Sequence, residues 1–205
     1  LFLAAWIFAT SAVQIVQRAR AGSGQLAKQS RSFYGMVLAH VGVGLFIVGV
    51  TMVRGYETER DVKMAIGDGV TVGGYRFVLK GIEEVDGPNY VAARGNVEVR
   101  RADGSGEPFT MRPEKRLYHV QRMPMTEAAI DSGLTRDLYV SLGEPLEGNA
   151  WTVRVYYKPF VDWIWGGAFV MALGGLLAIS DRRYRVSVRT AAAAETSTAG
   201  VPRPA

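Results

Sequence analysis

The chain has 205 residues, no cysteine and only two histidines. Without cysteine it forms no disulfide and does no thiol chemistry of its own, so any thiol step in its pathway belongs to a partner. A phosphate loop, a nucleophile elbow, a metal-spaced cluster and an internal repeat are all missing. The paired acids Glu83-Glu84 fall on a stretch that reads as a strand, where neighbours point to opposite faces, so they do not converge. Basic excess is also missing where a nucleic-acid surface would need it. The net charge is +5, yet residues 54–159 hold 15 basic and 16 acidic residues.

The positive charge sits instead in short segments beside apolar blocks. "QRARAGSGQLAKQSRS" carries Arg18, Arg20, Lys28 and Arg31 with no acid, and "SDRRYRVSVR" carries Arg182, Arg183, Arg185 and Arg189 against Asp181. The blocks themselves are Leu1 to Val16, Met36 to Val53 and Phe160 to Ile179. At 1.5 Å per residue the second spans roughly 27 Å, close to the hydrocarbon thickness of about 30 Å, and the third fits as it stands. The first lacks the basic flank and small-residue cleavage site of a signal peptide, and reads as the tail of a membrane helix in a C-terminal piece of something larger. Basic residues beside membrane helices mark the cytoplasmic side. The expected order is a partial transmembrane helix over 1–16, a cytoplasmic basic loop over 17–33, and a transmembrane helix over 34–53. An extracytoplasmic domain follows over 54–159, then a transmembrane helix over 160–180 and a cytoplasmic tail over 181–205. Beyond Arg189 the tail lacks large apolar residues and is expected to be disordered.

Between the membrane blocks the pattern is strand. "YRFVLKGI" places Phe77 and Leu79 on one side, and "GNVEVRR" sets Val97 and Val99 opposite Glu98 and Arg100. "DLYVSLG" and "AWTVRVYYK" are β-branched and aromatic. Turn signals separate them at Gly67-Asp68-Gly69, Gly73-Gly74, Asp86-Gly87-Pro88, Asp103-Gly104 and Gly148-Asn149. The predicted fold is membrane α plus β: transmembrane helices flanking an antiparallel, β-rich domain of sandwich or barrel type. One stretch, "PMTEAAIDSGLT", predicts a short helix capped by Thr126 and stopped by Gly133.

His40 lies inside the second apolar block and must face protein or a cofactor, because an unsatisfied polar group in hydrocarbon is costly. The residues leave two readings open. One is a haem or metal ligand, with Gly44 one turn away leaving room for a flat group. The other is helix–helix hydrogen bonding or proton handling, with Gly35, Ala39, Gly42 and Gly49 as small residues of a close helix contact. Haem tolerates a lone imidazole best, since the porphyrin supplies four nitrogens. His119 reads as a solvated histidine of the soluble domain. Met111, Met123 and Met125 read as core filler or adaptable apolar surface. Trp163 and Trp165 read as interfacial anchors, with Asp162 hydrated beside them.

The segments "RSFYGMVLAHVGVGLFIVGV", "GYETERDVKM", "GPNYVAARG", "PEKRLYHVQRMPMTEAAIDSGLTRDLYVSLGE" and "WTVRVYYKPFVDWIWGGAFVMALGGLLAISDRRYR" together resemble the C-terminal part of the CcmF family. That family is the haem lyase subunit of bacterial cytochrome c maturation. The resemblance covers about residues 1 to 185. It implies a multi-pass protein of the bacterial inner membrane with residues 54–159 in the periplasm. The implied activity takes haem from a periplasmic haem chaperone and attaches it to apocytochrome c, with thiol-handling maturation subunits as further partners. It also implies a membrane b-type haem as the reductant of the incoming haem, with His40 as one axial ligand to its iron. The family's other membrane histidine, its periplasmic haem-contacting histidines and its tryptophan-rich segment match nothing in this chain. This piece alone is therefore not expected to be catalytic.

Two rival classes remain. A non-catalytic, membrane-anchored periplasmic scaffold or assembly adaptor would use His40 only as a hydrogen-bonding group between helices. A proton-coupled transporter would need further ionisable residues at membrane depth, and the second and third blocks offer only His40 beyond the boundary Asp162. In the haem-lyase reading the Met-rich "RMPMTEAA" stretch is expected to dock partner subunits or shape the haem path.

Overall fold

The computed structural model describes residues 1–22, 24, 26–120 and 122–181. The expectation of a disordered tail beyond Arg189 lies outside these residues. The described residues form two compact units, one of residues 1–48 with 163–181, and one of residues 49–162.

The first unit is helical. Helices α1 (Phe2–Arg20), α2 (Arg31–Tyr56) and α3 (Val161–Ile179) are each long and apolar enough to cross a membrane. Between α2 and α3 the backbones meet without side chains. A Cβ on Gly35 would lie 2.5 Å from both Gly174 O and Ala178 N, and one on Gly42 would lie 2.6 Å from Met171 N. Gly167 and Gly174 return the contact from α3 against Phe46, Gly42 and Ala39. Seven-residue spacing on both helices keeps these glycines on one stripe, as two full turns require. Gly35, Ala39 and Gly42 thus serve the close packing their size suggested.

Helix α2 starts where its orphan amides find acceptors. The Phe33 amide donates to Ser30 Oγ at 3.2 Å. The Ser32 amide donates to the buried Asp181 carboxylate just past α3, at 3.0 Å. A carboxylate there also meets the positive end of the helix dipole. The guanidinium of Arg18, in the last turn of α1, stacks 3.7 Å from the Phe33 ring centroid.

The second unit is a β-sandwich. Its strands are β1 (Thr58–Met64), β2 (Gly69–Val72), β3 (Tyr75–Asp86), β4 (Tyr90–Arg101), β5 (Phe109–Met111), β6 (Glu114–Tyr118), β7 (Pro124–Glu127), β8 (Ala129–Asp131), β9 (Arg136–Leu146) and β10 (Ala150–Pro159). One sheet runs β1-β10-β9-β8, and the other runs β2-β3-β4-β6-β7 with β5 paired to β4. All pairings are antiparallel. Phe77, Leu79, Val97 and Val99 from one sheet meet Leu138, Val140, Leu142, Val153 and Val155 from the other, and none is exposed. Each is the alternate residue of its strand, as one buried face demands. A two-residue turn, Gly73-Gly74, closes the hairpin β2–β3 and a three-residue loop, Glu147-Gly148-Asn149, closes β9–β10; Gly73, Gly74, Gly148 and Asn149 have positive φ. Glycine and asparagine adopt that region at little cost.

The helix expected over Thr126 to Gly133 is absent. That stretch is β7 and β8, which belong to different sheets and carry the chain from one layer to the other. Thr126 caps nothing; its hydroxyl donates to Leu142 O of β9 at 3.3 Å. Arg136 holds Asp131 through its carboxylate and its carbonyl. Strand pairing on either side outweighs the local helix preference of Glu-Ala-Ala. The β4–β6 region carries an ion cluster on its outer face. Buried Glu114 accepts from Arg94 Nε at 2.7 Å and Arg116 Nε at 2.8 Å. Burial works to raise the Glu114 carboxyl, but the two guanidiniums outweigh it and hold the group below its ordinary range.

Candidate functional site

His40 sits in the middle of α2, ten residues past the Ser30 cap. Its side chain is exposed on the helical unit. Nδ1 lies 2.8 Å from Met36 O, the carbonyl one turn earlier. A carbonyl only accepts, so Nδ1 carries the proton and donates it. In the neutral ring Nε2 then keeps its lone pair. The backbone thereby fixes both the tautomer and the ring's orientation, as hydrogen bonds to the non-ligating nitrogen do in metal-binding histidines. No partner to Nε2 is present among the described residues.

Gly44 does not leave an open slot beside the imidazole. A Cβ there would meet the Phe8 ring of α1 at 2.7 Å, so Phe8 fills the space that Gly44 vacates. At 3.6 residues per turn His40 is about 40° around the helix from Gly44 and turned away from the α3 stripe. The Gly44 notch is thus filled by Phe8, while His40 itself is exposed.

Among the described residues no three His, Cys, Asp or Glu side chains gather to hold a metal. The donor set fits a haem, which needs only an axial imidazole from the protein and lets a second ligand come from elsewhere. It does not fit a closed four-ligand metal site. His119 is exposed on the turn after β6, its backbone amide donating to Asn89 O at 3.0 Å. It is remote in sequence from any ligand cluster and keeps its reading as a solvated histidine. Met111 is core, whereas Met123 and Met125 are 61% and 46% exposed. Beside them on the β6–β7 hairpin are Leu117 at 49% and Val120 at 93%, so the methionines belong to an apolar surface. Trp165 is exposed near the start of α3.

Two features at the helical unit escaped sequence reasoning. Asp181 had been no more than a counter-charge to neighbouring arginines, yet it caps α2 from 149 positions away. Phe8 was one apolar residue in a block, with no sign that it would seat on Gly44.

The C-terminal β-sandwich of CcmF matches residues 55–159 as a family. Among named relatives, a cytochrome c-type biogenesis protein CcmF from Pseudomonas aeruginosa is 53% identical over 161 residues, covering 78% of this chain and 24% of that protein. The Escherichia coli CcmF is 47% identical over 189 residues, covering 92% of this chain and 28% of its own length. A solved structure of a cytochrome c haem lyase CcmF superposes with a TM-score of 0.71 at 20% identity, over 85% of this chain and 29% of that one. At that identity the likeness speaks for the fold, and it extends beyond the sandwich to the helices. The chain spans about a quarter of the length of these relatives. Its three long apolar helices fit a membrane protein, and its matched sandwich makes it a member of the CcmF family.

Proposed function

We propose that the chain is the C-terminal part of a cytochrome c haem lyase subunit, which takes haem from a periplasmic haem chaperone and attaches it to apocytochrome c. In this reading His40 is one axial ligand of a membrane b-type haem, the other ligand lying outside this chain. The observation that carries it is the Nδ1–H bond to Met36 O, which leaves Nε2 as a fixed, outward-facing donor. When bound, the haem supplies a one-electron couple suited to reducing the iron of incoming haem. The protein's own residues do the rest. Met36 O orients the ring, and Ser30 and Asp181 fix where α2 begins. The glycine contact with α3 holds α2 in depth and rotation.

The same reading places 17–33 and 181–205 in the cytoplasm and 54–159 in the periplasm, on the asymmetry of Arg and Lys around the helices. The inner membrane is then crossed by α1, α2 and α3. The sandwich, lacking cysteine, leaves thiol handling to partner subunits, and its exposed Met123–Met125 face is the adaptable surface for docking one of them.

Optical spectra of the full-length protein purified in detergent test the ligand. Wild type is expected to show a reduced b-type spectrum that His40→Ala abolishes or converts to high-spin, with His40→Gln no better. Identical spectra and haem content in all three would make His40 a helix-packing residue and favour the scaffold reading.

A further inference from the structure

A second polar site lies on the outer face of the β1-β10-β9 sheet, opposite the core. It is a cavity of about 250 Å³. Its floor is formed by small residues in register: Ser141 faces Arg154 across β9–β10, and a Cβ on Gly143 would sit 3.0 Å from Thr152 Cβ. Tyr139 and the Arg154–Asp61 pair wall one side, and Thr126 of β7 walls the other. The volume is below the roughly 300–1,000 Å³ of drug-sized sites, so the cavity takes one or two small groups and not a porphyrin.

Its polar groups are incompletely used. Ser141 is only 6% exposed, yet its hydroxyl makes no hydrogen bond to protein among the described residues, while it lines the cavity. The hydroxyls of Tyr139 and Thr152 are likewise unpartnered there. A hydroxyl both donates and accepts, so three of them suit a ligand that does the same. The charges in the wall are already matched. Arg154 forms two bonds to Asp61, at 2.6 and 2.8 Å, and lies 3.4 Å from Glu59. An incoming anion would meet two carboxylates, and an incoming cation would meet the guanidinium. The remaining chemistry is neutral and amide-like. The rim is apolar beside this floor: Ile130, 59% exposed, is the cross-strand partner of Tyr139 and shares its face, and the Tyr139 ring packs edge-on against Tyr156 at 5.2 Å. Apolar side chains next to a backbone's amides describe a peptide better than a polyol.

We infer that this cavity binds the backbone amides of an extended, uncharged segment of a partner polypeptide. Ser141, Thr152 and Tyr139 supply the hydrogen bonds, Thr152 packs over Gly143 so that its hydroxyl is held at the floor, and Ile130 receives a flanking apolar side chain. The inference stands whether or not His40 binds haem.

The test uses the full-length protein in detergent with 3-fluorotyrosine at position 139, read by fluorine NMR. The probes are the blocked tripeptide N-acetyl-Ala-Ala-Ala-amide and glucose. The peptide is expected to shift the position-139 resonance saturably. Thr152→Val, which keeps shape, and Ser141→Ala, which adds no bulk, each remove one hydroxyl and are expected to weaken binding about three- to tenfold, the effect of one neutral hydrogen bond. Either variant suffices if the other fails to fold. The inference is overturned by the absence of a saturable shift, or by an equal affinity in both hydroxyl-deleted variants. A shift with glucose but not with peptide would overturn it in favour of a carbohydrate site.

Discussion

Adjacent glycines on α3 allow the packing of the helical unit to be tested with its own internal control. Gly167 and Gly174 abut α2, where an added Cβ would lie 2.5 Å from Phe46 N in the first case and closer still to Ala39 N in the second. Their neighbours Gly166 and Gly175 have nothing within 4 Å of an added Cβ. An ordinary Cβ contact begins at about 3.4 Å, so Gly167→Ala must push the helices apart by the better part of an ångström. On a 6–12 potential a gap of about 0.5–1 Å already forfeits a quarter to a half of each flanking contact. Overpacking of this kind costs about 1–3 kcal/mol. Every Gly→Ala change in a helix also gains up to about 1 kcal/mol of propensity. Subtracting the neighbour removes that gain, so Gly167→Ala should be about 1–3 kcal/mol less stable than Gly166→Ala. The same ordering should hold for Gly174→Ala against Gly175→Ala.

Because Gly35 and Gly174 face each other's carbonyls, the double variant Gly35→Ala with Gly174→Ala should lose less than the sum of the singles. Once the helices are parted, the second methyl finds space. The assay is thermal or denaturant unfolding of the full-length protein in a defined detergent. Equal stability of the adjacent variants, or strict additivity in the double variant, would refute the contact described here.

Two further outcomes are expected from the sandwich. Burial raises the Asp137 carboxyl above its ordinary value, against the opposing bond from the Gly133 amide. The native state therefore holds that proton more tightly than the unfolded chain. Stability from this group should fall as pH rises from the ordinary carboxylate range through the raised value, and stay flat above it. Asp137→Asn, which can still accept from Gly133, should remove that acid-range slope and leave neutral-pH stability equal or higher; a melting temperature with an unchanged slope refutes this. On the Met123–Met125 surface, replacing both methionines by serine should lower co-purification of maturation subunits and cytochrome c yield several-fold, with melting unchanged. Unaltered yield and co-purification would remove the docking role.

What could be read from sequence divides along physical lines. Strands β3, β4, β9 and β10 alternate cleanly because each buries one face, and their turns carry Gly or Asn where positive φ is required. Strand β1, "TERDVKM", buries only its terminal Met64, so an edge strand of charged residues shows no period. The β7–β8 stretch misleads because its strand state is imposed by β6 and β9 on either side. His40 was visible through rarity alone. Its tautomer depends on a single turn of helix, whereas the filling of Gly44 by Phe8 and the capping by Asp181 depend on helix packing that no local pattern encodes.

Hydrogen-bond completeness separates structural polar groups from candidate sites in this molecule. Glu114 is buried with both carboxylate oxygens engaged by guanidiniums, and nothing in its surroundings is left to bind a ligand. Asp181 is buried and spends its carboxylate on the first turn of α2. Such groups are costly to break and serve the fold. His40 and Ser141 are held differently. The imidazole has one nitrogen bonded to the backbone and the other facing out. The serine hydroxyl is sequestered on a sheet face with room beside it. No described buried side-chain nitrogen or oxygen is fully sealed without a partner, so neither group is a packing error; each opens onto space. A polar group that is fixed by its surroundings but only half satisfied by them is pre-organised for something that arrives later. For His40 the proposed group, a haem, meets both conditions of an apolar helix: it is largely apolar and its iron accepts a nitrogen lone pair. On the solvent-facing sheet it must offer donors and acceptors without charge, which a peptide backbone does.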